Sequence, residues 1–250
     1  MRSTWKGHIR FSLVTIPIQI FSAIENKNTI KFKQLHNEDN GSIGYSKICK
    51  TCEKVVPYGD IVKGYEYEPD KYVVLEKEDF NSIKLKSSKA IDIEAFVDIS
   101  EVHPTRFETF YFVGPNGDVA VKTFNLFTKT LKNSGKAGVG RIILRDKEDV
   151  VLLKEHKGGL IMYKLRYPYE LRKMENVPNL EETDVDQAQL DLAQTLVASL
   201  SKPFAEVSFE DRYRDALMKM VENKVDGKQI ISIAEEEQET PVVDLSLIHI

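Results

Sequence analysis

The two cysteines of this 250-residue chain, Cys49 and Cys52, are the residues whose type and spacing most directly indicate chemistry. Their spacing suits a zinc knuckle, but tetrahedral zinc takes four ligands and the chain has no second cysteine pair. His36 would serve as a third ligand, and a dimer would pool two pairs. A redox pair and a reduced structural remnant are the other interpretations. We predict no metal and no other cofactor, with Cys49 and Cys52 as the zinc candidates if one is bound.

A series of cationic side chains between residues 31 and 75, which we call the arch, forms the second chemical signal. The stretch is too polar to be core, and the turn signals Asn40-Gly41 and Pro69-Asp70 divide it into ribbons. A ribbon rises about 3.3 Å per residue, so two excursions of about fifteen residues would each reach about 50 Å and pass over a duplex. The side chains predicted to hold phosphates without reading bases are Lys31, Lys33, His36, Lys47, Lys50, Lys54 and Lys63.

A glycine-rich run, Gly135-Lys136-Ala137-Gly138-Val139-Gly140, has neither the P-loop nor the dinucleotide-binding pattern. It follows a predicted helix instead of opening one, so we interpret it as a helix-to-strand turn. Basic residues in and around the run are further candidates for contacts to a nucleic-acid backbone: Lys132, Lys136, Arg141 and Arg145.

No constellation for catalysis is present in the sequence. The five histidines are scattered, and the chain has no HExxH motif, no nucleophile elbow and no carboxylate pair at an informative spacing. An enzyme is therefore the least supported class, and we predict that the protein is not one.

The order of residues in the arch resembles the prokaryotic Ku family. The similarity extends from Trp5-Lys6-Gly7 to about Val243 and covers nearly the whole chain. The resemblance implies a homodimeric ring that threads onto broken DNA ends. The arch residues that carry it are Phe32, Gln34, Leu35, His36, Gly41, Tyr45, Cys49, Cys52, 60–67 and 72–75.

The body that carries the arch is predicted to be a β-barrel. Residues 11–21 alternate between apolar and polar with a change of phase near Val14, which we interpret as one strand with a bulge. Many short strands joined by tight turns indicate a barrel. A helix is predicted between Gly117 and Gly135, with Ala120, Phe124, Phe127 and Leu131 on one face, and further strands at 91–99, 107–113, 140–145, 150–154 and 160–167.

The C-terminal part of the chain is predicted to be a helical arm. One helix starts at Thr183 or Asp184 and runs to about Leu200 with apolar residues on more than one face, so it needs two surfaces to bury it. A second helix follows a capping box that begins at Ser208. In the Ku family such an arm supports the dimer. The residues that we therefore predict to contribute to dimerisation are Leu192, Leu196, Val197, Tyr213 and Leu217.

The net charge of −4 conceals a division along the chain. Residues 1–174 hold 29 Lys and Arg against 22 Asp and Glu, whereas residues 175–250 hold 6 against 17. A solvated surface is the ordinary explanation of such a charge pattern. Together with the lysines of the arch, the net positive charge of residues 1–174 favours nucleic acid as the partner.

We therefore predict an α+β protein with three parts: a Ku-core-like β-barrel at 1–180 that includes the arch, a helical arm at 181–228, and an acidic flexible tail at 229–250. The last six residues, LSLIHI, resemble a translated adaptor from sequencing-library preparation. We expect residues 245–250 to be an artefact and exclude them from the fold prediction.

The predicted function is sequence-independent binding of double-stranded DNA ends by a homodimeric ring in non-homologous end joining. The resemblance also implies recruitment of the bacterial ATP-dependent end-joining ligase. A reduced cysteine pair and the lack of a long apolar run predict a cytoplasmic protein without membrane contact. The predicted DNA binding would make it nucleoid-associated. A non-specific single-strand or RNA binder and a purely structural dimerisation module are the alternatives.

Overall fold

The computed structural model describes residues 1–27, 29–83, 89–144, 147–181 and 183–227. Arg145 and the predicted tail, including 245–250, therefore lie outside the described residues. The chain divides into two compact units between Met174 and Glu175, where the charge also changes sign. The elements in chain order are β1 (Trp5–Phe11), β2 (Val14–Ser22), β3 (Lys63–Glu68), β4 (Lys71–Leu75), α1 (Lys77–Ser82), β5 (Ala90–Asp98), β6 (Phe107–Pro115), α2 (Asp118–Ser134), β7 (Lys136–Leu144), β8 (Lys147–His156), β9 (Gly159–Leu165), α3 (Gln187–Leu200) and α4 (Arg212–Val225).

Seven strands of the first unit close into a barrel in the order β1-β2-β6-β9-β8-β7-β5. Neighbouring strands are antiparallel except β1 and β5, whose parallel pairing through Ile9 and Ile91 closes the barrel. The prediction of an α+β chain with a β-barrel body is confirmed.

The barrel core is formed by alternating strand residues together with one face of α2. Ile16, Ile18 and Ile20 of β2 are fully buried, as expected of a strand with one face toward the core. Phe124 and Phe127 of α2 belong to the same buried cluster, and α2 contacts β2, β6, β7, β8 and β9. Gly135 then ends α2 in the left-handed conformation, with φ of 67°. The helix and its apolar face were correctly predicted from the sequence.

Residues 11–21 do not form one bulged strand, so that prediction is wrong. β1 ends at Phe11 and β2 begins at Val14, and these two residues pair across a two-residue turn. Ser12 in the turn has φ of 49° and Leu13 is exposed. The change of phase near Val14 therefore marks a hairpin, because the turn residues interrupt the alternation as a bulge would.

The glycine-rich run after α2 is mostly strand, which corrects its interpretation as a helix-to-strand turn. β7 begins at Lys136, directly after the helix-ending Gly135. Gly140 pairs with Ile93 at the point where the β5 register shifts, and a Cβ on Gly140 would overlap the Asp92 carbonyl oxygen. The glycine there permits close approach of the two backbones.

The second unit contains α3 and α4, both of which begin later than predicted. The Asp186 carboxylate accepts from the Ala188 and Gln189 N–H groups at 3.0 and 3.1 Å, so Asp186, and not Thr183 or Asp184, caps α3. Asp211 caps α4 in place of Ser208. In both cases a carboxylate nearer the apolar run satisfies the free N–H groups. Among the described helices, none is long and apolar enough to cross a membrane.

Candidate nucleic-acid interface

The arch consists of three short antiparallel ribbons, not the two long excursions expected. Isolated bridges join Leu35 to Ser42 and Ile48 to Val55, and β3 pairs with β4 to form the third ribbon. The first ribbon turns at Asn40, which has φ of 56° and donates its N–H to the His36 carbonyl at 2.9 Å. Local bridges close these ribbons early, so each is shorter than predicted.

No residue of the arch is buried in the single chain. Tyr45 and Tyr58 are more than 80% exposed, and Tyr65 and Tyr72 of the β3–β4 ribbon are also exposed. These tyrosines are therefore not packed beneath the arch in the single chain. A segment without core of its own leaves its side chains available to another surface.

The cationic side chains of the arch differ in how they are engaged. Lys47 Nζ lies 4.9 Å from the centre of the Tyr58 ring, and Lys63 Nζ lies 4.6 Å from that of Phe80. These rings orient the two ammonium groups and leave their charges uncompensated. Among the described residues, four further arch lysines make neither an ion pair nor a contact with an aromatic ring: Lys31, Lys33, Lys50 and Lys54.

His36 contributes to the first turn of the arch. Its Nδ1 lies 3.0 Å from Asp39 Oδ1, and the same carboxylate oxygen accepts from the Gly41 N–H at 2.8 Å. The Gly41 N–H first, and then His36, hold the pKa of Asp39 below its ordinary value. His36 is therefore part of a hydrogen-bonded turn, which makes it a weaker phosphate candidate than the unpaired lysines.

The positive charge lies in the first two ribbons of the arch. Residues 31–56 hold five lysines and three acidic residues, whereas 57–75 hold two lysines and four acidic residues. Lys71 of β4 is also paired with Glu68 at 2.6 Å. Phosphate contacts are thus expected from the first two ribbons more than from the β3–β4 ribbon. The positions of the lysines alone do not reveal this division, because it depends on the acidic residues beside them.

Two of the barrel residues that were predicted to contact the nucleic-acid backbone form ion pairs within the chain. Lys136 Nζ lies 2.7 Å from Asp98 Oδ2, which raises the pKa of Lys136. Arg141 lies 2.9 Å from Glu148 and 2.8 Å from Glu94, and these carboxylates raise the pKa of Arg141. Their charges are locally compensated, so they are poorer phosphate ligands than the sequence indicated.

Lys132 has two cationic neighbours that are not among the predicted phosphate contacts. Lys122, Lys129 and Lys132 are all exposed on α2, seven and three positions apart, which places them on one helical face. None of the three makes an ion pair among the described residues. This lysine face is the stronger cationic surface of the barrel, and its helical spacing was the signal that would have revealed it.

The predicted dimerisation residues fall into two groups. Leu192, Leu196, Val197 and Tyr213 are exposed, and α3 has no buried residue in the described chain. Leu217 is buried within the single chain. An interface with a second copy would therefore draw on the first four residues and not on Leu217.

Cys49 and Cys52 lie together in the turn of the second ribbon. Cys49 is half-buried and Cys52 is exposed, and both thiols are free. Over the described ranges, no three His, Cys, Asp or Glu side chains come together as a metal site, so His36 does not join the pair. One chain thus offers two soft ligands and no third at this place.

A closed seven-stranded barrel with an exposed, lysine-bearing arch defines a Ku-type core. A family model described as the Ku70/Ku80 beta-barrel domain matches residues 10–192, and the chain belongs to this family. The resemblance of the sequence to Ku is confirmed.

Relatives carry the same family name over most of this chain. This chain is 39% identical over 231 residues to the Non-homologous end joining protein Ku of Bacillus subtilis, and the alignment covers 92% of this chain and 74% of the relative. It is 37% identical over 232 residues to the protein of that name from Archaeoglobus fulgidus, covering 92% and 91%. The SPOC domain of human PHD-finger protein 3 aligns with 66% of the chain at a TM-score of 0.31 and 10% identity, which is too distant to support an argument.

Proposed function

We propose that this protein binds double-stranded DNA ends independently of sequence, as a homodimeric ring, in non-homologous end joining. The observation that carries the proposal is the arch: a segment with no buried residue, whose first two ribbons present lysines without ion-pair partners in the described chain. Contacts between lysine ammonium groups and phosphates carry no information about the base sequence. Binding of this kind depends on the charge of the duplex and not on its sequence.

The ends are selected by topology in this proposal. An arch from each of two copies would enclose the duplex, and a closed ring admits DNA only at a terminus. The lysine face of α2 supplies a second set of cations that can balance the phosphate charge. The names of the Bacillus and Archaeoglobus relatives support a role in end joining.

The second copy is proposed to pack on the exposed apolar residues of the arm. Leu196 and Val197 are 48% and 67% exposed on a helix that has no buried residue of its own. Clustered apolar side chains that are this exposed favour association. Burying them lowers the free energy of the complex by about 25 cal/mol per Å² of apolar surface. The assembled ring is further proposed to recruit an ATP-dependent DNA ligase, for which family membership is the support.

A competition experiment tests the proposed function. Labelled linear duplex is bound at moderate salt and challenged with equal masses of unlabelled linear duplex, covalently closed circular duplex, or single strand. Linear duplex should compete far better than the closed circle. Equal competition by the circle would contradict end selection, and stronger competition by single strand would favour a strand binder that uses the exposed arch tyrosines. Absence of salt-sensitive binding would favour a structural module.

A further inference from the structure

Backbone hydrogen bonds and a β-bridge constrain the Cys49–Cys52 turn of the arch. The Cys49 N–H donates to the Lys54 carbonyl at 2.9 Å, and the Glu53 N–H donates to the Cys49 carbonyl at 2.8 Å. The Ile48–Val55 bridge closes the turn, and Glu53 adopts φ of 57° to complete it. This backbone holds the two cysteines in one turn, with both side chains accessible.

The two thiols differ in their surroundings. The backbone N–H groups of Cys52 and Thr51, followed by the Cys52 thiol, donate to the Cys49 sulfur and lower the pKa of Cys49. The thiolate is the nucleophilic form of cysteine, so Cys49 is the better nucleophile of the pair. Cys52 is exposed to solvent in the same hydrogen-bonded turn, so it is available to react with Cys49 in a second step.

Neither the fold nor the proposed DNA contacts use this pair. The thiols are not core, since no arch residue is buried. The described residues provide no third metal ligand beside them. A turn closed by the Ile48–Val55 bridge that holds two accessible thiols has the elements of a dithiol–disulfide site.

We propose that Cys49 and Cys52 form a reversible redox site that a hydroperoxide oxidises to an intrachain disulfide. Cys49 thiolate attacks one peroxide oxygen: an S–O bond forms, the O–O bond breaks, and the departing hydroxide leaves as water after taking a proton. The Cys52 thiolate then attacks the sulfur of the resulting sulfenic acid. The S–S bond forms, the S–O bond breaks and a second water leaves. Two thiols and one hydrogen peroxide thus give one disulfide and two waters.

The redox site does not depend on the proposed function, because its chemistry is measured on the free protein. Lys50 lies between the two cysteines in the sequence and Lys54 lies two positions after Cys52, and both are unpaired lysines of the arch. Disulfide formation removes the ionisable Cys49 thiol from beside Lys50. A small-molecule dithiol restores the starting state by thiol–disulfide exchange.

The test treats the full chain with hydrogen peroxide and follows its intact mass. The oxidised chain should lose two hydrogen atoms, remain a single chain on a non-reducing denaturing gel, and recover its mass with dithiothreitol. Trypsin cleaves after Lys50, between the two cysteines, so the disulfide should appear as two joined peptides. Stable addition of oxygen without loss of two hydrogens, or disulfide cross-linking between chains, would overturn the proposal.

Single-cysteine variants test the assigned order of reaction. Cys52→Ser retains the favoured thiol and should react with peroxide at a rate close to that of the parent chain, stopping at the oxygen adduct. Cys49→Ser should react about tenfold more slowly, as expected of a thiol without the lowered pKa. Equal rates for the two variants would overturn the assignment of Cys49 as the nucleophile. Stoichiometric zinc in the purified protein, released only when the thiols are blocked, would overturn the redox site itself.

Discussion

Gly7 of β1 lies directly against the backbone carbonyl of Lys89, beside the parallel β1–β5 pair that closes the barrel. A Cβ at residue 7 would overlap that oxygen and the ring of Trp5. The His8 N–H donates to the same carbonyl at 2.9 Å, so the two backbones cannot separate without losing this hydrogen bond. The glycine of the Trp5-Lys6-Gly7 motif is thus a requirement of barrel closure.

Gly7→Ala should destabilise the barrel by about 3 kcal/mol, because the added methyl group cannot be accommodated beside a fixed backbone. Urea unfolding measures the change as a lower midpoint at constant slope. Gly59→Ala is the matched control, because a Cβ there meets no atom within 4 Å. Its stability should stay within about 0.5 kcal/mol of the parent chain. Equal midpoints for the two variants would contradict the role of Gly7.

Lys164 compensates a buried carboxylate at the β8–β9 pair. Its Nζ lies 3.2 Å from Oδ1 of the buried Asp149 and 3.3 Å from Glu108, and that Asp149 oxygen has no hydrogen bond of good geometry in the described chain. Lys164→Met should cost about 2 kcal/mol, since it leaves a buried charge without a partner. Lys154→Met on exposed β8 surface is the control, and calorimetry showing the same melting temperature for both would refute the assignment.

The unpaired lysines of the second ribbon should carry part of the salt dependence of DNA binding. Lys50→Gln combined with Lys54→Gln should weaken binding equally for unrelated duplex sequences. The slope of log affinity against log salt should become shallower by about 0.9 for each phosphate that is no longer neutralised by a lysine. Fluorescence anisotropy titrations across a salt series measure both effects.

The matched control for that pair changes charge by the same amount on the barrel. Lys136→Gln combined with Arg141→Gln removes two cations that are already paired with carboxylates. Its salt slope should match that of the parent chain. An equal reduction of slope in both double variants would show that net charge, and not the arch, governs binding.

The exposed apolar residues of α3 should hold the two copies together. Leu196→Asp combined with Val197→Asp would bury two unpaired carboxylates in the interface, so sedimentation should report a monomer. Gln194→Asp on the same exposed helix adds a charge at a polar position and should leave the dimer intact. A dimer that persists in the double variant would exclude this surface as the interface.

The sequence predicted those parts of the fold that repeat a local pattern. The spacing of apolar residues predicted α2, and the glycine directly after it predicted its end. Both signals are local, because they lie in the helix or next to it. The β1–β2 turn at Ser12-Leu13 was missed, since it lacks the glycine or asparagine that usually marks a two-residue hairpin. The alternation of apolar and polar residues alone could not distinguish a hairpin from a bulged strand at that turn.

The sequence predicted that the candidate interface is a cationic surface, but not which of its cations remain without a partner. Lysines of the arch are visible in the sequence, but the partner of Lys136 is Asp98 and one of the two partners of Arg141 is Glu94, both on β5 and far away along the chain. Only the β5–β7 pairing brings these charges together. Charge compensation between distant strands therefore decides which cations remain available, and no local spacing contains that information.

Topological trapping tests the central claim most directly. Protein is loaded on a linear duplex, the ends are ligated to give a closed circle, and the complex is washed with salt that strips the protein from unligated DNA. A ring bound by sliding phosphate contacts should remain on the closed circle and leave after one cut by a restriction enzyme. Release from the closed circle during the wash, with the dimer intact by cross-linking, would contradict a ring around DNA.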